Sequence, residues 1–355
     1  MIGAGSAGGG HDRRSGLRGN GSRVAGSRVG RPANTVAMMS VVVVGAGLAG
    51  LACAVELAAA GVPVRVLERA GSVGGRMASS TIEGRPVDIG AAYFTVRDAE
   101  FAEVVARWRT AGLARPWTSE LAVLGDGSRG RSPGPVRWAA PHGLRSLVAE
   151  LAAGLTVELQ HEVRHVGPGP VVDGAGADVV VLAMPDPQAL RLVEPASPAV
   201  AELTGRDWRP VVTVVAGWRS REWPEMNAAF VNDHPVLSLI ADDGDRRGDG
   251  APVLVAHTTA DVARAHDAQP RGAVEPVLGA IRELLDLHTQ PAWTHAHRWR
   301  YAAPTADRDR PFHLGDDGIA LAGDGWGSAR VETAWRSGTL LGRAVAARLG
   351  GGRTE

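Results

Sequence analysis

An α/β architecture, with one parallel sheet covered by helices and a second, mixed sheet inserted into it, is predicted by three features. "SVVVV" at 40–44 is a continuous β-branched run of the kind a strand buried on both faces requires. "LACAVELAAAG" at 51–61 places apolar residues at helical spacing and ends on Gly61, and "VPVRVLE" at 62–68 reads as a second buried strand. Between about 205 and 300 the pattern changes to "RPVVTVVAGW", "HPVLSLIA" and "APVLVAHTT", strand-like runs separated by turn residues.

Length and charge narrow the function classes. A chain of 355 residues suits a two-domain enzyme, and its 38 basic and 38 acidic side chains cancel. Without a basic surplus, nucleic acid and an anionic membrane are not expected partners. All the basic residues other than histidine are arginine, which removes Schiff-base lysine chemistry and a P-loop lysine. The single cysteine, Cys53, falls in the alanine-rich helix and reads as a small buried hydrophobe. No apolar run is long enough to span a bilayer and no secretory pattern follows Arg13 and Arg14, so a cytoplasmic location is expected.

In chain order, positions 1–39 are rich in glycine, serine and arginine, lack a hydrophobic period, and are expected to be disordered. Residues 40–68 form a βαβ unit. "GLRSLVAELAAG" from 143 reads as a helix, "LTVELQ" and "HEVRHV" as strands up to 166, and "ADVVVLAMP" at 177–185 as a further buried strand. A helix is expected near 274–288, and "DDGDRRGDG" at 242–250 reads as the solvated tip of a loop. "GIALAGDGWG" and "RVETAWRSGTLLGRAVAARL" supply a last strand, turn and helix. Residues 40–95, 130–190 and 305–349 are therefore assigned to the parallel-sheet domain, and 96–129 with 191–304 to a substrate domain.

Gly45, Gly47 and Gly50 have the spacing that turns a strand tightly into a helix, admits a pyrophosphate and packs helix on sheet. Glu68 follows Gly50 by 18 residues, where a carboxylate accepts hydrogen bonds from a ribose. These features predict a Rossmann-type dinucleotide site that would suit NAD or FAD. "GSVGGRM" at 71–77 separates the two. FAD continues past its pyrophosphate along a ribityl chain; Gly74 and Gly75 would let the backbone approach it, and Arg76 would neutralise charge in a forked geometry. In "ALAGDGW", Asp324 stands after a buried strand, where it could accept hydrogen bonds from ribityl hydroxyls.

"GAGLAG", Glu68–Arg69, "GGRM", "DIGAAYFT", "LAMPDPQ", "HRWRYAAP" and "GDGWGSARVETAWRSG" occur in the order and spacing of the renalase family, especially its bacterial branch, and this resemblance covers residue 41 to the end of the last helix. It implies a Rossmann-type FAD-binding domain with an inserted mixed-sheet substrate domain, as in amine oxidases and hydroxybenzoate hydroxylase. It also implies a non-covalent FAD oxidase that takes a hydride from isomers of NAD(P)H reduced at ring carbon 2 or 6. The products would be NAD(P)+ and, with dioxygen as acceptor, hydrogen peroxide. Matching positions carry over as FAD contacts at Ala49, Glu68, Arg69, Gly75, Arg76, Ala92, Tyr93, Val163, Asp324 and Val331. Family members often read "GAQY" where this chain has Gly90–Tyr93, and the pocket-loop asparagine aligns with Asp243.

Hydride transfer from a dihydropyridine leaves an aromatic cation and abstracts no separate proton, so no acid or base residue is assigned. Tyr93, Asp243, Trp299 and Trp326 are expected to line the pocket, the aromatic ones by stacking. His297 reads as a structural, hydrogen-bonded histidine, and no metal site is expected because His295 and His297 lack an accompanying carboxylate or cysteine cluster. An amine oxidase or desaturase-like enzyme on the same fold is the alternative; a dinucleotide-binding sensor without turnover is the alternative of another class.

Overall fold

The computed structural model describes residues 40–125 and 128–351. Positions 1–39, for which disorder is expected, lie outside them. Along the chain, β1 (Val41–Val44), α1 (Leu48–Ala59) and β2 (Val64–Glu68) form the expected βαβ unit. A single 3-10 turn (Gly75–Met77) leads to β3 (Ser79–Ile82), β4 (Arg85–Asp88), β5 (Phe94–Thr95) and α2 (Ala99–Thr110). The next elements are β6 (Arg115–Gly125), β7 (Ser128–Ala139), α3 (Arg145–Ala152) and β8 (Val157–Leu159). Short strands β9 (Val166–Gly167), β10 (Val171–Val172) and β11 (Ala175–Gly176) precede β12 (Val179–Leu182), α4 (Asp186–Ala189) and α5 (Ala199–Leu203). Then come β13 (Trp208–Gly217), β14 (Ala228–Val231), β15 (Leu237–Asp242), α6 (Asp243–Arg247), β16 (Val253–Thr258), α7 (Ala260–Ala265), α8 (Val274–Leu285) and β17 (Trp293–Pro304). The last are β18 (His313–Leu314), β19 (Ile319–Leu321) and α9 (Val331–Gly351).

The first sheet has the order β18-β19-β12-β1-β2-β8, with β18 antiparallel and the other strands parallel. Both faces are covered, which is why its central strands β1 and β12 are uninterrupted valine and leucine. Val41 and Val43 pack with α1, α2, α3 and α9, while Val42 and Val44 face a second core with Leu67, Leu182 and Leu321. Helices α1 and α9 pack at small residues. A Cβ on Gly338 would overlap the carbonyl oxygen of Ala49, and one on Gly342 would sit 2.6 Å from that of Cys53. The Cys53 thiol is buried in this seam as expected, and burial, reinforced by Glu56, pushes its pKa up to about 12.

The second sheet runs β17-β13-β16-β15-β14-β6-β7-β5, antiparallel except for the β14–β6 pair. Its back face alternates with its front as strand geometry demands. Val212, Val214, Leu254, Ala256 and Ile240 pack on Val277, Leu278, Ile281 and Leu285 of α8. Each of those large α8 side chains contributes about 2 kcal/mol by burial. Val215 and Val255 point forward onto Val87 and Ile89, beside the loop that carries "DIGAAYFT".

Three expectations need correction. Within "HEVRHV" only Val166 enters a strand, because 161–165 turns away beneath β2 after His161 donates its backbone N–H to Glu68. Residues 130–139, assigned to the parallel-sheet domain, pair in β7 with the preceding β6 and with β5; their glycine, proline and arginine content hides the strand. Conversely Phe101, Val104, Val105 and Trp108 of α2, assigned to the substrate domain, pack in the core beneath the parallel sheet.

Candidate functional site

Gly45, Gly47, Ala49 and Gly50 lie at the C-terminal edge of β1 and the start of α1, beside the point where the chain's path through the sheet reverses between β1 and β12. Gly45 has φ +107°, and a Cβ there would sit 2.8 Å from the carbonyl oxygen of Ala183 on the neighbouring crossover. A Cβ on Gly50 would overlap the carbonyl oxygen of Gly45. Helix α1 begins at Gly47 with no side-chain cap and no acid in its first turn, so its leading N–H groups are left for an anion. Glu68 ends β2 and accepts from the backbone N–H groups of Ala46 and Ala70, each at 2.8 Å. Each carboxylate oxygen retains a lone pair for a ribose hydroxyl.

The second glycine pair has a neighbour the sequence did not predict. Gly74 bridges Gly47 and donates to the Ala46 carbonyl at 3.0 Å, and a Cβ on Gly75, whose φ is +54°, would sit 3.2 Å from the Cα of Gly47. These glycines bring one loop against the other. Arg76 likewise meets protein: its guanidinium grips Asp324 with two hydrogen bonds of 2.8 and 2.6 Å and lies 5.2 Å from the Trp208 ring centroid. Two residues chosen separately as cofactor contacts are thus brought together, 248 positions apart. Arg69 is exposed, Val163 is buried with Val44 and Leu67, and Val331 opens α9.

The front face of the eight-stranded sheet joins the site. Cross-strand register aligns His297, Thr213, His257, Leu239 and Phe230 on that face. Trp299, two residues past His297, has its ring 4.5 Å from the His297 ring and donates from its indole to the Ile89 carbonyl at 2.7 Å. Tyr93, Ala92, Trp117 and Phe230 continue this surface. Thr213 Oγ1 and His257 Nε2 are buried there without a hydrogen-bond partner among the described residues. Among the described residues the His297 side chain makes no hydrogen bond that would fix it as the structural histidine expected; burial, and then His295 and Arg298, hold its pKa below the ordinary value.

Burial, and then Arg246, push His257 down to about 4, so it is neutral at physiological pH, with its ring bonded to the backbone of Gly90. Between the ordinary 6.5 and about 4, the unfolded chain takes up a proton that the folded protein refuses. Stability therefore falls as pH drops through that window, by up to about 3 kcal/mol. Comparing urea midpoints at pH 7.5 and 4.5, His257→Gln should lose clearly less than the parent; equal losses would assign the acid sensitivity elsewhere.

Asp243 and the segment 242–250 depart from expectation. Far from being a solvated loop tip, Asp243–Arg247 is a helical turn, capped by Asp242 accepting from the Asp245 N–H at 2.9 Å. Asp243 is 0 % exposed and does not line a pocket; its oxygens pair with Arg85 at 2.6 Å, Arg247 at 3.1 Å, and Arg246. Opposite charges at i,i+3 and i,i+4 make this burial possible. Arg246 also donates to the Ala92 carbonyl at 2.9 Å, so the cluster holds the 88–93 loop from behind. Trp326 also differs from expectation. It is 4 % exposed, with the Arg308 guanidinium 4.2 Å from its ring centroid and His313 stacked at 6.3 Å, which makes it part of the core and not a pocket wall.

Sequence reasoning missed Arg137, Thr213 and Phe230. A lone arginine in "GPVRWAAP" was the available signal for the first. The glycine cradle and the uncapped start of α1 fit the phosphates of a dinucleotide cofactor.

A family model described as NAD(P)-binding Rossmann-like domain matches residues 43–108, and one described as flavin containing amine oxidoreductase matches residues 118–346. A 57-residue stretch is 49% identical to hydroxyneurosporene desaturase from Rubrivivax gelatinosus, covering 16% of this chain and 11% of that protein. Putrescine oxidase bound to putrescine shares the fold at TM-score 0.69 and 17% identity, over 87% of this chain and 99% of the other. Cyclohexylamine oxidase from Brevibacterium oxydans IH-35A does so at TM-score 0.69 and 16% identity, over 88% and 99%. The overall fold is shared with these two oxidases, and the chain belongs to the flavin-containing amine oxidoreductase family.

Proposed function

We propose that this flavin oxidoreductase is a renalase-like oxidase of 2- or 6-dihydro isomers of NAD(P), with FAD held non-covalently. The front-face row carries the proposal: Thr213, His257 and His297 with Tyr93, Trp299 and Phe230 include no carboxylate, and His257 is held neutral. Such a surface suits a reaction that needs positioning and no general base. In this reading Gly45, Gly47, Ala49, Gly50 and the α1 N-terminus hold the pyrophosphate, Glu68 the adenosine ribose, and Gly75, Arg76 and Asp324 the part beyond it. Tyr93 and Trp299 would position the dihydropyridine ring. The bound flavin supplies the two-electron acceptor. The substrate's ring carbon would give up a hydride, that is two electrons and one proton, and become part of an aromatic cation; dioxygen as final acceptor would take those two electrons with that proton and one more from solvent, giving hydrogen peroxide.

The mixed-sheet part would hold the substrate and the parallel-sheet part the cofactor, in the cytoplasm. The expected result is rapid anaerobic bleaching of the yellow protein by a 2- or 6-dihydro isomer and not by ordinary NADH. Bleaching by an amine or a polyene, with the isomers inert, would establish the second reading, which the similarity to the desaturase and to the two amine oxidases favours. Yellow protein reduced by none of them would instead indicate a sensor.

A further inference from the structure

Arg137 is the buried arginine whose charge the protein leaves unanswered. It is 5 % exposed on β7, and its Nε and Nη1 atoms are buried with no hydrogen-bond partner among the described residues. The other deeply buried guanidiniums among the described residues meet carboxylates: Arg246 and Arg247 reach Asp88 and Asp243, and Arg206 reaches Asp186. Arg137 meets aromatic rings instead, 5.5 Å from the Tyr93 centroid and 5.9 Å from that of Phe230. Those faces stabilise the cation but accept none of its in-plane N–H groups. A buried guanidinium with free donors lacks an acceptor that can lie in its plane, and a two-oxygen anion has that shape.

Its place in the fold indicates where that acceptor comes from. Register sets Arg137 opposite Thr95, two residues after Tyr93, and Phe230 ends the row that contains His257 and Thr213. Gly134 lies against its outer edge, where a Cβ would sit 3.2 Å from Nη2. We propose that Arg137 is the substrate-recognition residue of this site and binds an oxyanion, a phosphate or a carboxylate, of the molecule to be oxidised, with Tyr93 and Phe230 holding the guanidinium flat. On the function proposed above, which this deepens, the anion is a phosphate of the dinucleotide. A protonated amine would meet like charge here.

The test uses the flavin-loaded protein and calorimetric titration with redox-inert ligands. Nicotinamide mononucleotide is compared with the dephosphorylated riboside, and nicotinate with nicotinamide, for the parent, Arg137→Gln and Arg137→Lys. The parent should prefer one anionic member by roughly tenfold or more, Arg137→Gln should abolish that preference, and Arg137→Lys should restore part of it. A preference confined to the carboxylate pair keeps the anion site and overturns the dinucleotide assignment. Preferences unchanged in both variants, or absent from the parent, overturn the role of Arg137 while leaving the bleaching experiment to decide the reaction. If Arg137→Gln fails to fold, Arg137→Lys alone decides, because a merely structural cation would leave the ligand preference where it was.

Discussion

Asp243→Ala is expected to destabilise the protein by about 3–5 kcal/mol, because it removes the anion shared by Arg85, Arg246 and Arg247. Arg246 and Arg247 are nearly solvent-free, and after the change the carboxylate left within 4 Å of them among the described residues is Asp88, at 3.9 and 3.3 Å. An uncompensated buried guanidinium costs far more than an exposed ion pair returns. The effect should reach the site as well. Arg246 holds the Ala92 carbonyl, so the variant that remains folded should bind flavin more weakly. Asp249→Ala is the control: Asp249 also pairs with Arg85, but its side chain is 47% exposed and its loss should cost under about 1 kcal/mol. Chemical unfolding of both, with the visible absorbance recorded at each step, checks the prediction. Equal small losses would show that the arginines relax to solvent.

Gly50→Ala is expected to yield folded but colourless protein. The added methyl would overlap the carbonyl oxygen of Gly45 and approach the Ala183 Cβ at 3.1 Å. Neither backbone segment yields without moving the turn between β1 and α1. Overpacking of this kind costs about 1–3 kcal/mol, which an otherwise intact core survives, but the displaced Gly45–Gly47 backbone no longer fits a pyrophosphate. Gly71→Ala supplies the comparison, since a Cβ there meets nothing within 4 Å. Visible spectra of the two purified variants decide the matter. A fully yellow Gly50→Ala would mean that the helix can shift without disturbing the cradle.

The parallel-sheet half was legible because its signals are local. The valine run of β1, the glycines after it, Glu68 at the end of β2 and Gly61 past α1 each reflect a rule acting over a few residues. The mixed sheet was less so. β17 pairs with β13 from more than seventy positions away, and β14 lies parallel to β6 from more than a hundred, so neither neighbour is announced by adjacent sequence. Likewise "DDGDRRGDG" reads as solvated by composition, yet helical spacing pairs its charges with one another and lets them be buried.

The sequence alone therefore determined the cofactor cradle: strand, turn, helix and acidic strand end follow from backbone sterics and hydrophobic period, which need no distant partner. Tertiary structure decided what the second glycine pair and the charged side chains meet. It placed Arg76 on Asp324, stood Gly75 on Gly47, buried Asp243 among arginines and left Arg137 between two rings without a carboxylate. The meaning of a charged side chain depends on the dielectric around it and on which opposite charge lies within reach, and only the folded chain sets either.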